Sequence, residues 1–126
     1  MLRLVFIATG GAIGAVLRDL IGSLPARYLG EGFPYGTLVV NLLGSLLIGI
    51  LYELTERSVI SAELKPLLIT GLLGALTTFS SHSLDNLKLV EGGTPHLALL
   101  NIIVSITLGL LFAFCGASLI RALYPA

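Results

Sequence analysis

The stretch PLLITGLLGALTTFSSHSL, residues 66–84, carries no charged side chain and lies between Lys65 and Asp85. Its 19 residues approach the roughly 20 that a helix needs to cross a bilayer core. Its second half is rich in Gly, Thr and Ser, which weaken a continuous helix. The stretch therefore predicts a membrane-spanning helix that either breaks near its centre or kinks while Thr and Ser hydroxyls satisfy the backbone.

The charged residues divide the rest of the chain into similar apolar windows. Uncharged runs of 14, 21 and 29 residues lie between Arg3 and Arg18, Glu31 and Glu53, and Glu91 and Arg121. The first run also resembles a signal peptide, but its apolar pattern continues past any plausible cleavage site, which favours a retained helix. We expect an all-α membrane protein, with residues 1–126 forming one domain of four transmembrane helices near 3–24, 34–54, 66–88 and 95–121. Prolines at 25, 34, 66 and 95 are expected at loop edges or in first helical turns.

Composition excludes several classes of protein. Of 126 residues, 56% are apolar and 11% are charged, against about 25% charged in a soluble domain. The seven basic and seven acidic residues cancel, which argues against a nucleic-acid partner because phosphate neutralisation needs a basic surplus. One cysteine, Cys115, excludes an internal disulfide and a zinc site built from cysteines. The chain is expected to be a multi-pass protein of the lipid bilayer.

Basic residues give almost no preferred orientation. Four of them (Arg3, Arg57, Lys65 and Arg121) fall at one end of the predicted bundle, and three (Arg18, Arg27 and Lys88) fall at the other. The positive-inside rule then barely selects a topology. Either the orientation is set weakly or the chain inserts both ways.

Uncharged polar side chains concentrate near the middle of the predicted spans. Asn41 is close to the centre of the second, Gly74 to that of the third, and Ser105 to that of the fourth. A cation or proton path usually has a carboxylate at this depth, whereas amide and hydroxyl donors can replace the hydration shell of an anion. These residues could instead join helices, at about 0.6 kcal/mol each. Carbonyls freed by a break in the third span would suit Na⁺.

Two motifs carry a family resemblance. Gly36-Thr37-Leu38-Val39-Val40-Asn41 followed by Gly44, and Gly74-Ala75-Leu76-Thr77-Thr78-Phe79-Ser80, resemble the CrcB/Fluc fluoride channels. The resemblance covers the whole chain. It implies an antiparallel, dual-topology homodimer in the bacterial inner membrane, with a break in the third helix, two fluoride pores and a central structural Na⁺.

The same resemblance implies roles for individual residues. Backbone carbonyls of Gly74 and Thr77 from both subunits would hold Na⁺, and Arg18 would raise the anion concentration in a vestibule. Phe79 would turn the positive edge of its ring toward fluoride. The complete set of expected pore residues is Thr37, Asn41, Phe79, Ser81, His82 and Ser105.

His82 is the main departure from the family pattern, which has a second phenylalanine at this position. Gly-Ala at 74–75, Asp85 and Asn101 are smaller departures. His82 could be a helix-end residue satisfied by Ser80, Asp85 or water. Alternatively its N–H lines the pore, and conduction then depends on pH because imidazole changes charge between about pH 5 and 8.

The sequence thus predicts a passive fluoride-selective channel that exports F⁻ from a bacterial cytoplasm, and no enzyme. The alternative is a small dual-topology multidrug or proton-coupled transporter, which would need a carboxylate at mid-depth. A membrane scaffold subunit is a further alternative, but it would not need polar residues at one depth.

Overall fold

The computed structural model describes residues 1–125, and all the regular elements in that range are helical. Four segments in it are long and apolar enough to cross a membrane, as predicted. The third, Ala62–Glu91, is built from several shorter helices. In chain order the elements are α1 (Leu2–Leu29), α2 (Tyr35–Glu56), a 3₁₀ turn (Ala62–Leu64), a π-helix (Pro66–Leu73), α3 (Gly74–Leu76), α4 (Phe79–Glu91) and α5 (Pro95–Leu123).

Helix α1 extends further than the sequence suggested. We expected it to end near residue 24, with Pro25 at a loop edge, but Pro25 lies inside the helix. A proline removes one backbone N–H donor but does not always end the helix in which it lies. The helix ends instead at Gly30, whose φ of 82° favours glycine because a side chain would strain this left-handed conformation.

Helices α2 and α5 form the most extensive pair in the bundle. Gly49 of α2 lies against the backbone of Ala113, and Gly116 of α5 lies against the backbone of Leu46. A Cβ atom at either glycine would overlap the neighbouring carbonyl oxygen. Small residues therefore set the close approach of these helices, as is common in membranes.

Charged side chains join the last turns of the same pair. Glu53 of α2 is only 6% exposed. Its carboxylate accepts from the Nε of Arg121 at 2.6 Å and from the Nε of Arg57 at 3.4 Å. Arg57 also donates to the backbone carbonyl of Tyr124. One buried carboxylate thus holds two arginines at one end of the bundle.

Helix α1 packs mainly on the π-helix of the third segment. Gly10 and Gly14 lie on the backbone carbonyls of Leu67 and Leu72, where no Cβ would fit. A small core forms near this contact from the buried Val40, Leu73 and Leu76. Most other large apolar side chains are exposed on the single chain, as expected for a surface that lipid or another apolar surface covers.

Candidate functional site

The third segment contains two consecutive threonines whose backbone is extended. Thr77 (φ −81°, ψ 153°) and Thr78 (φ −153°, ψ 119°) are extended, with α3 ending before them and α4 beginning after them. The Oγ1 atom of Thr78 accepts from the backbone N–H of Ser81 at 3.1 Å. Thr78 is therefore the N-cap of α4, a position that threonine favours because its hydroxyl satisfies a free N–H.

Asn41 of α2 supports these extended residues from the side. Its Oδ1 accepts from the backbone N–H of Thr78 at 2.9 Å, and its Nδ2 donates to the backbone carbonyl of Thr78 at 3.2 Å. The Asn41 amide therefore pairs with both the backbone N–H and the backbone carbonyl of Thr78. Non-helical backbone at membrane depth needs such protein partners, which explains why an asparagine lies here.

Two backbone carbonyls lose their usual helical donors at the same place. In an α-helix the N–H of residue i+4 donates to the carbonyl of residue i. The N–H that would reach Gly74 is that of Thr78, and it donates to Asn41 instead. The N–H that would reach Thr77 is that of Ser81, and it donates to the Thr78 hydroxyl. The carbonyls of Gly74 and Thr77 are thus released from these helical bonds.

The expected site residues line two separate cavities, and Thr78 lines both. The first, which we call the vestibule, has a volume of about 700 Å³ and is bounded by α1, α2, α4 and the loop after α1. The second, which we call the groove, has a volume of about 760 Å³ and is bounded by α2, the third segment and α5. The pairing of Asn41 with Thr78 lies where the two cavities adjoin.

The vestibule contains three of the expected residues, Arg18, Thr37 and Ser81. The Thr37 hydroxyl donates to Oδ2 of Asp85 at 2.6 Å. Arg18 and three carboxylates, those of Asp19, Glu31 and Asp85, line this cavity, so it holds charges of both signs and more acidic than basic side chains. The vestibule is therefore the charged compartment of the site.

The groove contains the other expected residues and has a different character. It is lined by Asn41, Gly74, Thr77, Phe79, His82 and Ser105. Phe79 is 83% exposed on the single chain, and its ring centroid lies 6.1 Å from that of His82. In the part of the chain that the structure describes, His82 is the only titratable side chain lining the groove.

His82 takes part in a buried polar network that links α4 to α5. Its Nε2 lies 3.0 Å from Nδ2 of Asn86, and its Nδ1 lies 3.4 Å from Nδ2 of Asn101. Asn101 Nδ2 donates to Asn86 Oδ1 at 2.9 Å, and the Ser105 hydroxyl donates to Asn101 Oδ1 at 3.3 Å. The expected partners of His82, Ser80 and Asp85, bond elsewhere: Ser80 to Thr78 and Asp85 to Thr37.

Sequence reasoning did not single out Asn86, although a signal for it existed. Asn86 lies four residues after His82, a spacing that places two side chains on the same face of a helix. The same spacing connects Arg57 with Glu53, and the burial of Glu53 was also not foreseen. Asn86 and Glu53 lie away from the centres of the predicted spans, where the sequence directs attention to polar residues.

Side chains that could bind a metal do not cluster in residues 1–125: no group of three or more His, Cys, Asp or Glu is close enough to hold an ion. The released carbonyls of Gly74 and Thr77 remain as candidate ligands. Carbonyl oxygens are ligands for hard cations. A cation site in this fold would therefore depend on backbone geometry.

Comparison with known proteins matches the family described as CrcB-like protein, Camphor Resistance (CrcB), over residues 5–117. This chain belongs to the CrcB family. A protein of Shewanella frigidimarina is 48% identical over 120 residues, covering 95% of this chain and 97% of the relative. Proteins of Magnetococcus marinus and Agrobacterium fabrum are 47% and 45% identical over 116 and 125 residues, covering 91% and 98% of this chain and 94% and 100% of the relatives.

All three relatives are named fluoride-specific ion channel FluC. The resemblance to the CrcB family drawn from residues 36–44 and 74–80 is thereby confirmed. The names are those of ion channels and not of enzymes, in agreement with the prediction. Four apolar helices in a CrcB protein make this chain a multi-pass membrane protein.

Proposed function

We propose that this CrcB protein is a passive fluoride-selective channel that exports F⁻ across the bacterial inner membrane. The observation that carries the proposal is the groove, whose polar lining is amide, hydroxyl and one imidazole, with no carboxylate, lysine or arginine among the lining residues of the described chain. N–H and O–H groups can replace the hydration shell of a small anion. A proton-coupled transporter would want a carboxylate there, so the transporter is the weaker candidate.

The direction of transport follows from the chemistry of fluoride. HF is neutral, crosses the bilayer and dissociates inside, which leaves F⁻ that needs a pore to escape. The membrane potential contributes about 2.3 kcal/mol per charge per 100 mV and drives the anion outward. A passive pore is therefore sufficient to lower the internal fluoride concentration.

Fluoride enters in this proposal through the vestibule, where Arg18 is the one cationic side chain among the described lining residues and attracts the anion locally against the three carboxylates. It then passes the pair formed by Asn41 and Thr78 and continues along the groove. Each cavity holds part of the expected pore set: Thr37 and Ser81 in the vestibule, and Asn41, Phe79, His82 and Ser105 in the groove.

We further propose that two chains assemble as an antiparallel, dual-topology homodimer with two pores and a central structural Na⁺. The break at Thr77 and Thr78 releases the carbonyls of Gly74 and Thr77, which are suited to Na⁺. One chain supplies two such oxygens, and a second copy would double them and enclose the ion. Replacing Na⁺ by N-methylglucamine is expected to lower the Tm of the dimer, and an unchanged Tm would contradict this site.

The channel is tested by fluoride release from proteoliposomes, measured with a fluoride electrode under a potassium gradient clamped by valinomycin. Wild-type protein should release fluoride rapidly and chloride slowly. Asn41→Asp keeps an acceptor for the Thr78 N–H but loses the donor and adds a negative charge. We expect it to slow fluoride release by about a hundredfold, the factor that corresponds to about 2.8 kcal/mol of repulsion between two like charges about 6 Å apart.

Cys115→Ser is the matched control, because Cys115 is exposed and outside both cavities. This variant should release fluoride like the wild type. Absence of fluoride release from folded wild-type protein would overturn the proposal, as would equal release of chloride.

A further inference from the structure

One backbone carbonyl orients the whole network around His82. The carbonyl oxygen of His82 can only accept, and it lies 2.9 Å from the Nδ2 atom of Asn86. This contact identifies Nδ2 as the amide nitrogen, since an oxygen there would face another oxygen. Oδ1 of Asn86 must then face Asn101, from which it accepts at 2.9 Å.

The amide orientation of Asn86 determines that of Asn101 on α5. Because Nδ2 of Asn101 donates to Asn86, Oδ1 of Asn101 faces Ser105 and accepts its hydroxyl hydrogen at 3.3 Å. The chain of donors therefore runs from Ser105 to Asn101 to Asn86, with every amide fixed in one orientation. Asn101 is 1% exposed, so water cannot easily replace these partners.

The last member of this chain fixes the tautomer of His82. Asn86 Nδ2 has two hydrogens, of which one bonds the His82 carbonyl and the other meets His82 Nε2 at 3.0 Å. Nε2 accepts that hydrogen when the neutral imidazole carries its own proton on Nδ1, and this contact is shorter than the 3.4 Å one to Asn101 Nδ2 that the other tautomer would have to use. The opposite tautomer would place two N–H groups 3.0 Å apart.

Two donors then face each other without an acceptor between them. His82 Nδ1 lies 3.4 Å from Asn101 Nδ2, which has one hydrogen left after donating to Asn86. His82 is 9% exposed and lines the groove. Asn101 lies behind the lining of the groove at 1% exposure, so an acceptor reaches its Nδ2 hydrogen only by entering beside His82, where it can accept from both nitrogens. Buried donors without an acceptor are costly, and this cost favours binding of an anion.

We propose that Asn86 is a positioning residue that holds His82 in the Nδ1–H tautomer, so that His82 Nδ1–H and Asn101 Nδ2–H form a two-donor fluoride site in the groove. This inference rests on the proposed function and gives that function one anion site. Ser105 acts here through Asn101, because its hydroxyl hydrogen is already used.

The tautomer is measured by solid-state NMR on ¹⁵N-histidine-labelled protein in bilayers at about pH 8, where free imidazole is neutral. His96→Gln removes the second histidine, which is exposed. We expect the Nδ1–H form of His82 to exceed the Nε2–H form by about tenfold, the ratio that one ordinary hydrogen bond produces. Added fluoride should shift the Nδ1 resonance, and chloride at the same concentration should not.

Two variants separate positioning from packing. Asn86→Asp has nearly the same shape but presents an acceptor to Nε2, and it should invert the tautomer. Asn101→Leu should keep the Nδ1–H form while the fluoride-induced shift is lost. Thr9→Ala is the control, since the Thr9 hydroxyl bonds only the Val5 carbonyl and lies outside both cavities. It should behave like the wild type in both measurements.

Fluoride release and the NMR measurements together distinguish failure of this inference from failure of the proposed function. A wild-type protein that releases fluoride but holds His82 as Nε2–H, or shows no fluoride-specific shift, would overturn the two-donor site and leave the channel intact. A protein that releases no fluoride would overturn the channel.

Discussion

At the scale of single residues, the site depends on amides that use both of their polar atoms. Asn41 bonds two atoms of Thr78, and Asn86 and Asn101 each donate and accept in the network on His82. An amide used on one side only would leave a buried donor or acceptor unsatisfied, at about 1–3 kcal/mol. These contacts therefore favour one arrangement of the polar groups in the groove.

His82 gives a prediction about pH. Protonation would add a positive charge to the ring beside the groove and thereby strengthen anion binding. Because an ion must also leave a pore, we expect fluoride release by the wild type to be slower at about pH 5.5 than at about pH 8.

Fluoride release from proteoliposomes at these pH values checks this, with leakage of HF through protein-free vesicles subtracted. Within residues 1–125, His82 is the one titratable side chain that α2, the third segment or α5 contributes to the lining of the groove. His82→Phe should therefore release fluoride at a rate independent of pH. Equal, flat profiles for both proteins would exclude His82 as the sensor.

Residue-scale reasoning from the sequence found most of the groove but not its connections. Asn41 was singled out because both amide atoms need partners, and it does pair through both. The division of the expected residues between two cavities was not predictable, because depth along a helix does not define which neighbour a side chain faces. Asn86 was missed because its partners lie on its own helix and on α5.

At the scale of elements, uncharged windows located four helices but not their internal geometry. The window at 66–84 predicted one span, and that span contains a π-helix, a single α-helical turn and the start of α4. π-Helices are rare and are often found at functional sites. Amino-acid composition does not distinguish a π-helix from an α-helix. The π-helix and its packing against α1 were therefore not predictable from the sequence.

The contact between α1 and the π-helix gives a second prediction. Gly14→Ala would place a methyl group into the backbone of Leu72, and overpacking of this kind costs about 1–3 kcal/mol. Gly11→Ala, on the same helix, meets nothing within 4 Å. We expect Gly14→Ala to lower the Tm in detergent clearly and Gly11→Ala to leave it unchanged or slightly raised. Equal Tm values would show that this contact is loose.

At the scale of the whole molecule, charge is distributed so evenly that orientation needs its own test. Gly32, in the loop between α1 and α2, can carry a cysteine label because a Cβ there meets nothing within 4 Å. In a Cys115→Ser background, an impermeant maleimide added outside cells should label about half of Gly32→Cys if both orientations occur. Complete labelling or none would contradict dual topology.

A variant with added positive charge at one end of the bundle is the matched comparison for the labelling experiment. Glu56→Lys and Ser61→Lys place two cations at the end of the bundle that carries Arg57 and Lys65. Because basic loops stay in the cytoplasm, this variant should expose Gly32→Cys outside in nearly every copy. Loss of fluoride release in the same variant would indicate that both orientations are needed for assembly.

The pairing of Asn41 with Thr78 also has a consequence for how fast each position can change in evolution. Asn41 contributes a side chain, whereas Thr78 contributes only its backbone to that pairing. Aspartate lacks the donor and glutamine is one carbon longer, so few codons at position 41 can preserve it. Serine at position 78 would keep both the backbone atoms and the cap. Mutational drift should therefore be far slower at position 41 than at position 78, even though the two residues touch.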